Sequence, residues 1–522
     1  MKNILKNLPL LMIIAGILFS LFLLFQIPDE IYYSGDAGLK ALLAKQFGSG
    51  LLQFDLKLPA EPWIEQLWSE GLYPFEPPFA YQQGDIYFIT FPFTFPLVTA
   101  PFYALLGWRG LYVVPLVSTW VFWGGFYWLC QHLKLGTKLT SFAIATLIFA
   151  SPVSMYSAMY WEHTLALCLA FNGLAIAFVK GTQRWSNRTA ILSGSLIGLS
   201  VWFRPEFLCL VGILFALVAA SYLLNLGYLN FISKRKAIFL GSMVLAVLCF
   251  FAVNQLVYSH PLGIHSLQVV EEFSPRTKLY EASKLLPAMT ADLFKYFPVL
   301  YYTSIYIGLS IFTDRIQLTP AFRTFILISL GFTYAVPLLV PSDGGKQWGP
   351  RFLLLVIPSI CLAATLALRA TVNVKRLGFK YWSLAVFAIC FVLGFHVNTY
   401  SGILAFSESG FLPVFNFVRE SPNQLVAFPH QYVGQSLAGV VGDKFFFLTK
   451  NREDLMEFGK TLPSQGYDQF MYICPIYDDC FDSAEPPATL EFNVNDRPFQ
   501  MQLSVVKTME RYIFYEGSIA EK

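Results

Sequence analysis

The sequence predicts a polytopic α-helical membrane protein with about eleven transmembrane helices and a small extracytoplasmic α/β domain at its C-terminal end. Three observations carry this expectation. Apolar runs of roughly 20 residues, the length that crosses about 30 Å of hydrocarbon, recur along most of the chain. The 522 residues are 56% hydrophobic and only 13% charged, against about 25% charged in ordinary soluble domains. Lys and Arg gather in alternate short loops between the runs, which is the positive-inside pattern. A net charge of +3 with no basic stripe leaves no basis for a nucleic-acid partner.

The first run, Leu8 to Phe25, follows Lys2 and Lys6 and has no small-residue cleavage site behind it. It reads as a retained first helix with a cytoplasmic N-terminus. Residues 26–110 then form a large outer loop rich in prolines and aromatics. Within it, Ile86 to Gly107 is apolar enough to span, but Pro92, Pro96 and Pro101 interrupt it, and it is expected to lie along the outer surface. The remaining spans are expected at about Leu111–Leu129, Leu139–Met159, Thr164–Phe178, Ala190–Phe203, Phe207–Leu226, Ala237–Tyr258, Phe297–Phe312, Phe325–Val340, Phe352–Leu368 and Trp382–Tyr400. The loops that then fall inside carry Lys134, Lys138, Lys180, Arg184, Arg188, Lys234, Arg235, Lys236, Arg315, Arg323, Arg369, Lys375, Arg376 and Lys380. Letting Ile86–Gly107 cross would put all of these outside. Residues 1–400 are therefore expected to form a transmembrane domain in the plasma (inner) membrane, with the C-terminus outside.

Residues 401–522 differ in kind. Lys444–Lys450, Gln469–Cys474, Glu491–Val494 and Met501–Tyr515 have strand composition. Asn451 is placed to cap a short helix through Leu462, with Asp454 at the third position. Cys474 and Cys480 are the two cysteines in polar sequence; in an oxidising compartment they can close a disulfide, and two free thiols remain the alternative. The other six cysteines lie in apolar runs, where they act as small hydrophobes.

With this topology, the polar sequences that interrupt apolar runs without being basic loops all emerge on the outer side. They are the Asp36 loop, Trp108-Arg109-Gly110, Tyr160 to His163, Arg204-Pro205-Glu206, His260 to His265, and Gly344 to Arg351. Singly, each reads as a helix-end anchor, since Trp and Tyr favour the interface and long cations snorkel. Together they predict one pocket at the outer leaflet, because ionisable groups beside hydrocarbon pair or mark a substrate site. A carboxylate such as Asp36 can take the proton from a hydroxyl that attacks carbon. Arg351, Lys346, Arg204 or Arg109 can stabilise a departing lipid phosphate. A polyprenyl-phosphate sugar is a donor of this kind, and its tail dissolves only in the bilayer.

In layout from Leu8 to Tyr400 the chain resembles the GT-C superfamily of membrane glycosyltransferases, in particular its protein O-mannosyltransferase and aminoarabinose-transferase branch. Tyr33-Ser34-Gly35-Asp36 looks like that family's first-loop motif, and the resemblance implies Asp36 as catalytic base. Arg109 looks like the family's Arg at the outer start of the second span, and Met159 to His163 stands where its second acidic motif follows the third span. Gly345 to Arg351 with the following Phe-Leu-Leu-Leu is similar to its Gly-Pro-Arg-Phe/Tyr-Leu-Leu segment. The family often has two adjacent acids in the first loop. Here Ala37 follows Asp36, and the adjacent pair is Asp29-Glu30, so Asp29 is the alternative base. In the second motif Glu162-His163 replaces the usual Asp.

The expected activity is an integral-membrane, inverting glycosyl transfer from a polyprenyl-phosphate sugar to a protein, lipid or glycan acceptor. Asp36 is the general base, with Arg109, Glu162, His163, Arg204, Glu206, His265, Lys346 and Arg351 as donor-binding candidates. No cofactor is expected. A divalent metal is left open with no motif indicating one: Asp478, Asp479, Asp482 and Glu485 match no calcium-loop spacing, and His260 and His265 suggest no zinc. Asn187-Arg188-Thr189 is a glycosylation sequon, but it falls in an inner loop and no modification is expected. No Gly-rich nucleotide-binding motif appears. The rival from another class is a transporter or lipid-linked-sugar flippase, which predicts ionisable residues midway through spans and an internal repeat. A receptor-like reading predicts that the tail carries the function.

Overall fold

The computed structural model describes residues 7–84, 86–180, 185–223, 234–264, 274–311, 320–340, 342, 348–372, 377–408, 411–476, 480, 489–494 and 496–522. Two compact units divide the chain: Met1–Gln26 with Tyr112–Ala405, and Ile27–Leu111 with Phe406–Lys522. The sequence-based division at 400/401 kept the first outer loop with the spans. In the structure that loop belongs with the tail.

In chain order the α-helices of five or more residues are α1 (Leu8–Phe25), α2 (Gly35–Gly48), α3 (Pro62–Leu67), α4 (Thr94–Leu106), α5 (Val113–His132), α6 (Thr137–Phe149), α7 (Val153–Ser157), α8 (His163–Lys180), α9 (Asn187–Phe203), α10 (Leu208–Leu223), α11 (Lys234–Tyr258), α12 (Pro275–Tyr296), α13 (Val299–Ile311), α14 (Pro320–Ala335), α15 (Ile357–Val372), α16 (Leu377–Asn398), α17 (Phe411–Glu420), α18 (Gln431–Ser436) and α19 (Arg452–Thr461). The strands are β1 (Ala80–Gln83), β2 (Ile86–Ile89), β3 (Leu425–Phe428), β4 (Phe445–Leu448), β5 (Gln469–Pro475), β6 (Thr489–Val494), β7 (Arg497–Met509) and β8 (Tyr512–Glu521).

The first unit is helical, and its outer surface is built for lipid. On α1, Leu10, Ile14, Leu18, Phe22 and Phe25 stand exposed at helical spacing, and on α11 Leu245, Leu248 and Leu256 do the same. Water would not tolerate such apolar faces. Among the described residues five helical stretches are long and apolar enough to cross a bilayer, α1 and α11 among them, and four shorter apolar helices accompany them. The expected span Leu139–Met159 breaks into α6 and α7 around Ser151-Pro152. Proline supplies no N–H there. The Ser151 hydroxyl answers the break by donating to the Leu147 carbonyl and accepting from the Val153 amide. The expected span from Phe352 opens instead as a 3-10 turn, Arg351–Val356, before α15 begins. Helix α12 was not anticipated: it covers Pro275–Tyr296, in the stretch between the expected spans Ala237–Tyr258 and Phe297–Phe312.

The second unit joins the early outer loop to the tail. Its sheet has the order β4-β3-β5-β8-β7-β6, with β3 parallel to β4 and β5 and the remaining pairs antiparallel. Asn451 caps α19 as expected: its side chain accepts from the Asp454 amide while Asp454 Oδ2 accepts from the Lys450 amide. The single expected strand Met501–Tyr515 is instead a hairpin, because Glu510 turns the chain at φ 51° between β7 and β8. Short β3, buried at every residue, carries no alternation to announce it. The segment Ile86–Gly107 is not one helix: Ile86–Ile89 pairs with Ala80–Gln83, and only Thr94–Leu106 is helical. The Trp68 indole donates to the Phe446 carbonyl at 3.0 Å, tying the loop to the sheet. Cys474 and Cys480 are joined as a disulfide, with Cα atoms 5.7 Å apart. Asp478, Asp479, Asp482 and Glu485 lie outside the described residues.

Candidate functional site

In the first unit, three of the polar interruptions converge. Arg204 follows the last residue of α9 in an extended conformation that turns its side chain off the helix axis. Its Nη1 donates to Glu162 Oε1 at 2.9 Å and its Nε to Glu206 Oε1 at 2.6 Å. Glu162 immediately precedes α8 and is 1% exposed; Glu206, in the turn that starts α10, is 5% exposed. Acids at the start of helices meet the positive end of the macrodipole, so both carboxylates are placed favourably before the guanidinium arrives. Burial alone would lower the Arg204 pKa, but Glu206 and then Glu162 outweigh it and hold the pKa raised. Arg204 is a fixed cation committed to two carboxylates.

Arg351 reaches the same cluster through an aromatic ring. The Arg204 and Arg351 guanidinium carbons lie 5.1 and 4.9 Å from the centroid of Phe352. Cations over a ring face are attracted to it, so Phe352 brings two like charges to one neighbourhood. The segment before Arg351 is anchored independently. The Tyr156 hydroxyl donates to the Trp348 carbonyl at 2.6 Å, and Trp348 packs edge-on against Tyr296. Gly349 has φ 77°, and a Cβ there would come within 3.2 Å of the Tyr156 hydroxyl, so glycine suits this turn on two counts. His163 is 3% exposed and packs beside the rings of Trp161 and Tyr156.

In the second unit, Asp36 occupies the first turn of α2 behind Ser34, 5% exposed. Lys40, one turn on, is 2% exposed with its ammonium 4.4 Å from the centroid of the Phe91 ring. The glycines around Asp36 are explained by what packs on them. A Cβ on Gly35 would meet Gln435 Oε1 at 2.5 Å, and one on Gly38 would meet the Gln435 backbone oxygen at 2.3 Å. Gln435 belongs to α18 and donates to Gln431 Oε1; Gln431 in turn donates to the Pro77 carbonyl and accepts from the Glu76 amide. The turn that holds Asp36 is thus seated on a helix of the tail. Nothing near residue 36 in the sequence announces Gln435.

The two other acids of the loop have partners of their own. Asp29 pairs with Arg109 Nη2 at 2.5 Å, and that same nitrogen donates to the Ile27 carbonyl. Glu30 pairs with Arg419. Of the donor-binding candidates, the structure therefore brings Glu162, Arg204, Glu206 and Arg351 together, with His163 beside Glu162 in sequence. Arg109 belongs to the second unit and tethers the start of the loop. His265 and Lys346 lie outside the described residues. Residues the sequence reading did not single out are Phe352, Tyr156, Lys40, Gln431 and Gln435. Phe352 alone had a signal, its place directly after Arg351.

No family model matches the chain, and no curated protein matches it in sequence. Solved structures do. ArnT from Cupriavidus metallidurans bound to undecaprenyl phosphate superposes with TM-score 0.53 at 11% identity, over 96% of this chain and 97% of that one. The same protein in the apo state gives 0.52 at 13% identity, with the same coverage. The oligosaccharyltransferase of Archaeoglobus fulgidus in its apo form gives 0.51 at 11% identity, over 90% of this chain and 70% of that one. The fold of this chain is the one these GT-C glycosyltransferases share.

Proposed function

We propose that this protein is an integral-membrane glycosyltransferase that moves a sugar from a polyprenyl-phosphate donor to an acceptor on the outer side of the plasma (inner) membrane. The observation that carries this reading is the fold likeness over 96% of this chain to a protein with undecaprenyl phosphate bound. Arg351, beside the buried cluster of Arg204, Glu162 and Glu206, adds the positive charge such a donor needs. In this reading the chain crosses about eleven times with its N-terminus inside, and its acceptor is a protein, lipid or glycan.

The step is a single displacement with inversion. The acceptor hydroxyl oxygen attacks the anomeric carbon, and the Asp36 carboxylate takes its proton. The bond from that carbon to the phosphate oxygen breaks, and its electron pair leaves with the lipid phosphate. A phosphate leaving group needs positive charge more than a proton. Arg204 is committed to two carboxylates, so Arg351 is assigned to the phosphate and Arg204 to holding the helix ends with Glu162, His163 and Glu206. His265 and Lys346 remain candidates for further donor contacts.

The test is transfer by purified Asp36→Asn protein, alongside mass spectrometry of lipid-linked sugars and envelope glycans in cells lacking the protein. Loss of a positioned base is expected to slow turnover by roughly 10²- to 10⁴-fold. Cells without the protein should accumulate one polyprenyl-phosphate sugar and lack one residue on one product. A folded Asp36→Asn protein with full activity removes the mechanism, and unchanged lipid-linked sugars remove the donor class.

A further inference from the structure

The helix α12 has a face that glycosyl transfer does not explain. Ala282, Met289, Leu293 and Tyr296 are buried and form its packed side. On the other side, Arg276, Tyr280, Lys284, Pro287, Ala291 and Lys295 are all exposed. At 3.6 residues per turn these six fall within about 100° of arc, and the stripe runs about 28 Å along the axis. It carries three cations. The two acids of the helix, Glu281 and Asp292, fall outside it, and Glu281 is paired with Lys278 at 2.9 Å.

The stripe is not merely a solvated charged face. Tyr280 within it stands 61% exposed, with Leu279, 66% exposed, on the helix face beside it, and the Lys284 ammonium lies 4.1 Å from the centroid of the Tyr280 ring. Large apolar side chains interleaved with cations suit a headgroup boundary, where rings and aliphatic groups enter the acyl region and ammonium groups meet phosphate. A soluble polyanion would neutralise the cations and leave the Tyr280 ring, and Leu279 beside the stripe, in water. The helix also leads straight into an apolar one: α12 stops at Tyr296 and α13 begins at Val299, with Tyr301, Ile305 and Ile307 exposed.

We propose that the outward face of α12 is a docking surface for the phosphates of anionic lipid headgroups. The proposal goes beyond the transferase reading and rests only on the membrane placement of the chain. The full-length protein is placed in nanodiscs of phosphatidylcholine alone, or of phosphatidylcholine with phosphatidylglycerol, and hydrogen exchange is followed for residues 276–296. Amides of α12 should exchange roughly tenfold more slowly in the anionic discs, given the attraction of each surface cation for such a leaflet. Arg276→Gln/Lys284→Gln/Lys295→Gln should remove the difference, and Arg276→Lys/Lys284→Arg/Lys295→Arg should keep it. Equal exchange in the two membranes overturns the proposal, as does a difference that survives the neutralised variant. Protection by soluble polyphosphate in neutral discs, with none from phosphatidylglycerol, overturns the choice of a lipid.

Discussion

The two units hold their candidate groups by different physics. In the first, Arg204, Glu162 and Glu206 are ion-paired at the ends of apolar helices, and the pairing is what makes their burial tolerable. In the second, Asp36 is set by shape: two glycines let α18 approach so closely that a side chain at Gly35 or Gly38 would meet Gln435. One site is charge-matched and the other is contact-matched. Variants in the first should therefore fail by stranding charge, and variants in the second by steric displacement.

The largest effect expected from this difference is at Arg204. Arg204→Met leaves Glu162 and Glu206 buried without their counter-ion, which typically costs about 3–5 kcal/mol. Thermal unfolding in detergent, followed by tryptophan fluorescence, should show the loss as a large drop in midpoint. Glu162→Gln/Arg204→Met/Glu206→Gln removes all three charges and should recover most of it. An Arg204→Met protein as stable as the parent would mean that the cluster is not charge-matched.

This contrast also explains what was legible in the sequence. A charge at the end of an apolar run stands out, so Glu162, Arg204, Glu206 and Arg351 could be picked out singly, and a shared topology predicted that they meet. The helices behind them were legible for the same reason, α1 to the residue. What shapes the Asp36 turn is neutral and distant: Gln435 lies 400 positions away in a stretch with no periodicity, and its role is to present a backbone oxygen. Sequence patterns record burial and charge, not which neutral surface a glycine faces. α12 was missed because its first turn is polar and Pro287 interrupts its middle, two features that read as loop.

Steric matching around Asp36 predicts an asymmetry between its two glycines. At Gly38 the obstacle is the Gln435 backbone oxygen, which cannot step aside, so Gly38→Ala should destabilise the second unit by about 1–3 kcal/mol and lower turnover. At Gly35 the obstacle is the end of the Gln435 side chain, so Gly35→Ala should be milder and largely relieved by Gln435→Ala. Turnover and hydrogen exchange across residues 35–48 read both effects. Equal damage from the two substitutions would argue against seating by backbone contact.

A smaller effect is expected from the disulfide, which lies in the sheet of the second unit rather than at either candidate group. Cys474 to Cys480 closes a loop of seven residues, for which loop-closure entropy predicts about 2 kcal/mol. Cys474→Ser/Cys480→Ser should lower the unfolding midpoint of the second unit, and a reducing agent should do the same to the parent but not to the variant. The Arg204 cluster, whose atoms belong to the first unit, should unfold unchanged.

The smallest effect separates the two acids of the loop that were rivals for the base. Asp29 is paired with Arg109, yet its side chain is 72% exposed and that of Arg109 33%. Pairs so open to solvent contribute at most about 1 kcal/mol and weaken with added salt. Asp29→Asn should shift the unfolding midpoint only slightly, and the shift should shrink in high salt. Its turnover should stay within about twofold of the parent, because this carboxylate is held by Arg109 and open to water rather than enclosed. Asp36, 5% exposed in the first turn of its helix, is the acid whose surroundings leave little water to compete. If Asp29→Asn abolished transfer and Asp36→Asn did not, the base would be Asp29. The glycine seat at α2 would then be a structural contact with no chemistry behind it.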